Sequence, residues 1–250
     1  MKRMVWVLLL AALSATGCSS REEPTLVVYC GAGLRPPVAE LIETFSKRHR
    51  VRVEPVYTGS GILLSQITLA RRGDIYIPGD QFFMQQAVDK GYILEQAAAA
   101  VFIPVIAVRK GNPKGIKGLA DLTRKDLKLG LGEEKACAVG RSSAVMLKRA
   151  GLSDRVEPSY TATTVTDLGN HVKIGTLDAA IIWDAVARFY PDEVEMVDIS
   201  TEYREVLTVP VGVLRFTKNR ELAQSFMQLV SGEEGKQVFA RHGYTVSLPK

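Results

Sequence analysis

The chain is expected to fold as an α/β protein of two lobes, each a mostly parallel sheet flanked by helices, joined by two crossings of the chain. Three observations predict this. Residues 25–90 alternate apolar strand and amphipathic helix three times over. After Gly111-Asn112-Pro113 the same alternation restarts. Two long apolar runs, 102–109 and 206–216, stand between the sets, placed to carry the chain across and back. This puts residues 24–104 and 210–250 in the first lobe and 105–209 in the second, with the hinge near Pro104 and Pro210.

The elements follow in order. Thr25–Cys30 (TLVVYC) is a β-branched apolar run that reads as a buried strand. Gly31-Ala32-Gly33 is a turn, and Val38, Leu41, Ile42 and Phe45 then share one face of a helix over 34–48. Residues 51–57 alternate as a strand, Thr58-Gly59-Ser60-Gly61 turns, and 62–71 reads as a helix. A short strand lies at 73–78, and a helix over 82–90 stops at Gly91. Beyond the strand at 102–109, a short helix opens at Gly118, with a strand at 128–131 and helices at 140–150 and 165–174. Ala179–Trp183 (AAIIW) is a buried strand, 206–216 a long one, and helices at 221–230 and 235–242 close the chain.

Composition bounds the function. The 250 residues are 46% hydrophobic and 24% charged, which is ordinary for a globular protein. The formal net charge of +5 is spread thinly, without a basic tract of the kind that binds nucleic acid. Lys2 and Arg3 precede an apolar stretch, Met4–Leu13, too short to span a bilayer and fitted to an export signal. Ser14, Ala15, Thr16, Gly17 and Cys18 follow, an arrangement that resembles the bacterial lipobox, though Ala15 stands where Leu is usual. The resemblance implies a signal peptide over 1–18, acylation of Cys18, a tether over 19–24, and a membrane-anchored protein outside the cytoplasm; a plain secretory signal cut near Gly17 is the other reading. Cys30 and Cys137 remain, and both read as small buried thiols. No Cys or His cluster with zinc spacing occurs.

The chemistry lies in three junctions between a turn and a helix: Gly31-Ala32-Gly33 with Arg35, Thr58-Gly59-Ser60-Gly61, and Ala138-Val139-Gly140 with Arg141. A helix start carries unpaired N–H groups and about half a positive charge, and glycine lets backbone approach an anion closely. Three such ends together would hold an oxyanion, although each alone reads more readily as a cap. Rival readings are weaker. Gly31-x-Gly33-x-x-Pro36 imitates a dinucleotide fingerprint, but Pro36 stands in the place of the third glycine. Gly59-Ser60-Gly61 is not a nucleophile elbow, and His49, His171 and His242 are scattered, so a hydrolase lacks its triad. Asp74, Asp80, Asp178 and Asp184 read as caps or surface groups, since a carboxylate repels an anion.

The stretches LVVYCGAGLRPPVAELIETFSKRHRVRVEPVYTGSGILLSQI, GDIYIPGDQFFMQQAVDKGYI, GNPKGIKGLADLTRKDLKLGLGEEKACAVGRSSAVMLKRAGL, GTLDAAIIWDAVA and SGEEGKQVFARHGY resemble, in order, the periplasmic molybdate- and tungstate-binding proteins. The resemblance covers nearly all of the chain after the leader. It implies the type II periplasmic binding fold, no enzyme activity, no cofactor, and capture of molybdate, tungstate or a similar oxyanion in the cleft for an ABC transporter permease and ATPase. It also implies a monomer. A sensor or scaffold lipoprotein binding the same ligand is the alternative. Aligned by motif, Ala32, Gly33, Ser60, Gly61, Val139, Gly140, Val165 and Trp183 would line the cleft, with Arg35 and Arg141 as extra donors. Gly33 stands where the family's first turn has serine, and Trp183 at or next to the place of a tyrosine. Both departures reduce the hydroxyl donors.

Overall fold

A computed structural model describes residues 23–247. The leader, Cys18 and the start of the tether lie outside the described residues. In the first half, β1 (Thr25–Gly31) leads through a 3₁₀ turn at Ala32–Leu34 into α1 (Arg35–His49), followed by β2 (Arg52–Thr58), α2 (Ser60–Ala70), β3 (Ile75–Ile77), α3 (Gln81–Asp89) and β4 (Ile93–Phe102). Then come β5 (Pro104–Arg109), β6 (Leu129–Gly132), α4 (Ala138–Arg149), β7 (Tyr160–Ala162), α5 (Val165–Lys173), β8 (Ala179–Trp183), the short α6 (Asp184–Ala187) and β9 (Val194–Asp198). The chain ends with β10 (Leu207–Leu214), α7 (Arg220–Ser231) and α8 (Glu233–Arg241).

Two five-stranded sheets result, ordered β2-β1-β3-β10-β4 and β7-β6-β8-β5-β9. Each is mixed. β1 runs parallel to β2 and β3, whereas β10 runs antiparallel to β3 and β4. The second sheet repeats this scheme: β6 is parallel to β7 and β8, and β5 is antiparallel to β8 and β9. The parallel part of each sheet comes from the strands that alternate with helices. The antiparallel part comes from the strands flanking the crossings. Helices α1, α2, α3, α7 and α8 cover the first sheet, and α4, α5 and α6 the second.

The single strand expected at 102–109 is in fact two. β4 ends at Phe102, Ile103 crosses between the lobes, and β5 begins at Pro104. The crossing is fixed on the second lobe's side, where the Asp184 amide donates to the Ile103 carbonyl at 2.8 Å. The return crossing is residues 199–206, so the hinge expected at Pro210 is misplaced. Pro210 lies inside β10, at a register shift against β4 that accommodates a residue without an N–H. The core is built from the strand residues read as apolar, including Leu26, Val28, Ile75, Ile106, Ile181, Ile182 and Val211, all essentially inaccessible.

Candidate functional site

Four chain turns meet where the sheets' carboxyl ends face each other. Gly31–Leu34, the Thr58–Ser60 start of α2, the Cys137–Val139 start of α4 and the Thr164–Val165 start of α5 enclose one hollow, completed by Gly79, Phe102 and Trp183. It leaves about 20 Å³ for the centre of a water-sized particle. Phe102 of the first lobe and Trp183 of the second stack at one wall, with ring centres 4.7 Å apart and planes 7° from parallel.

Among largely apolar walls, three helix starts bring backbone donors to the hollow, for a local reason. Gly59, Cys137 and Thr164 hold extended conformations ahead of their helices, turning the first helical amides inward. Among the described residues, no protein group accepts from the amides of Ser60, Ala138 or Val165. Ser60 is buried, and its hydroxyl oxygen accepts the Gly79 N–H at 3.0 Å, leaving the hydroxyl hydrogen free to donate. Its carbonyl accepts from the buried Tyr76 hydroxyl at 2.9 Å. Tyr244 donates its hydroxyl to the Gly33 carbonyl and so holds the first turn. Cys137 is a buried thiol, as is Cys30. Burial pushes the Cys137 thiol up to about 11, against the pull of the Gly140 and Val139 amides beside it.

Close approach of the lobes requires glycine. A methyl group on Gly33 would lie 2.7 Å from Val165 Cγ1, 3.2 Å from Val186 Cγ2 and 3.5 Å from Trp183 Cδ1, all in the second lobe. On Gly59 it would lie 2.2 Å from the Thr163 carbonyl oxygen and 2.4 Å from that of Ala136. The lobes are therefore closed on one another, and the Gly61 N–H donates across the gap to the Ala136 carbonyl at 3.0 Å.

Of the residues expected at the site, Ala32, Gly33, Ser60, Val139, Val165 and Trp183 line the hollow. Four expected there do not. The Gly61 amide is occupied by Ala136. Gly140 packs on the Gly132 and Glu133 backbone, where it lets α4 press on β6. The Arg35 guanidinium lies over the Tyr57 ring, 4.6 Å from its centre, outside the hollow. Arg141 turns away to Asp80 and Glu205. Leu34, Gly79, Phe102, Cys137 and Thr164 were missed. Thr164 had a signal: it begins a T-x-x-D pattern ahead of an apolar helix face, and its hydroxyl caps Asp167 N at 3.3 Å. Gly79 had none, because its contacts with Ser60 and with Ala138 of the other lobe lie far away in sequence.

The weighed carboxylates stay out. Asp80 caps α3 through Phe83 N, Asp74 accepts from Val27 N, and Asp178 accepts from Lys128 N. Asp184 faces Ile103 N, and burial raises its carboxyl above the usual range. His242 pairs with Glu40 at 2.7 Å, and His171 Nδ1 lies 2.7 Å from the Thr176 hydroxyl. No group of His, Cys, Asp and Glu suited to a metal ion occurs among the described residues.

A hollow reached by three helix starts and closed between two lobes is a place to hold a small solute, and the residues lining it include no nucleophile paired to a base. Comparison with known proteins agrees: residues 26–245 match the description of bacterial extracellular solute-binding proteins. The chain belongs to that family. This solute-binding protein is 26% identical over 252 residues to the molybdate-binding protein ModA of Mycobacterium tuberculosis, covering 96% of the chain and 95% of the relative. Its fold matches the periplasmic molybdate-binding protein of Azotobacter vinelandii with a TM-score of 0.73 and 16% identity, over 90% of this chain and all of that one. It also matches the sulfate-binding protein SubI of M. tuberculosis, with a TM-score of 0.75 and 15% identity, over 89% and 86% of the two chains. The fold is that of type II periplasmic binding proteins, as expected. The family is one of binding proteins, not enzymes.

Proposed function

We propose that this solute-binding protein captures molybdate or tungstate in the hollow and delivers it to an ABC transporter permease and its ATPase. The observation that carries the reading is the convergence of helix-start amides on one small enclosed space. Neutral N–H dipoles replace the hydration of an anion without requiring a counter-charge. Among the residues lining the hollow, Ser60 carries the one fully buried side-chain hydroxyl, and it is free to donate. No carboxylate lines the hollow, so an anion that keeps a proton at neutral pH would lack a carboxylate to accept it. That favours a fully ionised oxyanion over hydrogen phosphate. The name of the M. tuberculosis relative supports the choice of metal oxyanion.

Sulfate is the second reading, supported by the fold's likeness to SubI. It is equally ionised, and size alone would separate it from the larger molybdate. Titration calorimetry with molybdate, tungstate, sulfate and phosphate tests the assignment. The expected result is tight binding of the first two and weak or absent binding of the others. Sulfate binding as tightly as molybdate would remove the assignment, and binding of none would remove oxyanion capture altogether. We further propose that residues 1–18 are an export signal, that Cys18 carries the lipid anchor and 19–24 the tether, and that the protein acts as a monomer. Mass spectrometry of the mature N-terminus checks the anchor.

A further inference from the structure

Arg141 is oddly placed for a helix residue. It is the fourth residue of α4, near the end that carries partial positive charge, where a cation is disfavoured. Its side chain is also only 13% exposed. The compensation lies across the cleft. Nε donates to Asp80 Oδ2 at 2.7 Å, and a terminal nitrogen donates to Glu205 Oε2 at 2.7 Å. Asp80 is fully buried and caps α3 of the first lobe, while Glu205 belongs to the return crossing. The guanidinium also sits 5.3 Å from the centre of the Phe82 ring. One cation thus ties the second lobe, the first lobe and the crossing together.

The same elements wall the hollow. α4 offers its first amides there, and Asp80 directly follows Gly79, which donates to Ser60 Oγ. Bringing α4 up to the hollow and bringing Arg141 up to Asp80 are one movement. We propose that Arg141 is the positioning residue that holds the lobes closed, its ion pairs with Asp80 and Glu205 forming only as the cleft shuts. The proposal rests on the reading of the hollow as a ligand site for its kinetic consequence, and on the geometry alone for the closure itself.

The Gly61 amide reports closure directly. As the second residue of α2 it has no partner within its helix, and its acceptor, the Ala136 carbonyl, lies across the cleft. Hydrogen exchange of the purified protein without added anion is therefore the deciding measurement. In Arg141→Ala, Gly61 should exchange at least about tenfold faster, while the β1 amides of Val28 and Tyr29 keep their protection. Glu205→Gln should give a smaller increase of a few fold. Molybdate should leave Arg141→Ala about tenfold faster, with its association rate within about twofold of wild type. Unchanged Gly61 exchange in ligand-free Arg141→Ala overturns the proposal. If that variant loses β1 protection as well, Glu205→Gln decides, and unchanged Gly61 exchange there overturns it. Should molybdate bind neither wild type nor variant, the ligand assignment falls while the exchange result still decides the closure.

Discussion

Serine at position 33 would restore the hydroxyl that the family pattern implies, yet Gly33→Ser should weaken binding. The new Cβ would sit 2.7 Å from Val165 Cγ1 and 3.2 Å from Val186 Cγ2. Both neighbours belong to the opposite lobe, so the clash acts as a wedge in the cleft and not as a local strain. Overpacking of this kind costs about 1–3 kcal/mol. Because the cost falls on the closed state, it should appear as a loss of affinity of about fivefold to about 150-fold. Val165→Ala removes the offending methyl. The double variant should therefore recover most of the loss, with a coupling of about 0.5–3 kcal/mol between the sites. Calorimetric titration of molybdate into the four proteins of the cycle measures it. Wild-type affinity in Gly33→Ser, or a defect that persists unchanged in the double variant, would refute the wedge.

Other outcomes follow from the same geometry. Gly59→Ala should close less completely still, because the atoms in its way are the Thr163 and Ala136 carbonyls, which cannot rotate aside; a loss of about 3 kcal/mol in molybdate binding is expected, read by calorimetry. Ser60→Ala should lose about 1–3 kcal/mol of binding energy and, in urea melts without ligand, about 1 kcal/mol of stability, since the Gly79 N–H loses its acceptor. The buried Cys137 thiol, raised to about 11, and Cys30, raised further by burial, should resist an aromatic disulfide reagent at about pH 8 until denaturant is added.

How much of this was legible before the structure depends on what each residue touches. The turns at 31–33, 58–61 and 138–140 were legible as helix starts, and it was their number in one chain, not any single turn, that pointed to a site, since each alone is an ordinary cap. Their shared hollow followed from the alternation of strand and helix. β4 was invisible for the opposite reason. Ala97–Ala100 has weak strand propensity, and only pairing with β10 makes it one. β9 is an edge strand of only five residues whose positions run buried, half-buried, exposed, half-buried, exposed, so no clean period of two marked it. Arg141 was placed in the site from its position after the turn. Its actual partners lie 61 and 64 residues away in sequence, and nothing local predicts such a pairing.

The order of strands in the first sheet sets a timetable for the newly made chain. β4 occupies an outer place, where its strand partner is β10, which itself sits between β3 and β4; its Val101 also bridges Thr245, later still in the chain. Residues 93–102 therefore have no strand to join until residue 214 is available, whereas all strands of the second sheet come from the unbroken stretch 104–198. The second sheet can assemble first, and the first must wait with an apolar ribbon uncovered. The final docking of its C-terminal strand is the step at which a chaperone or a destabilising change in β10 would act.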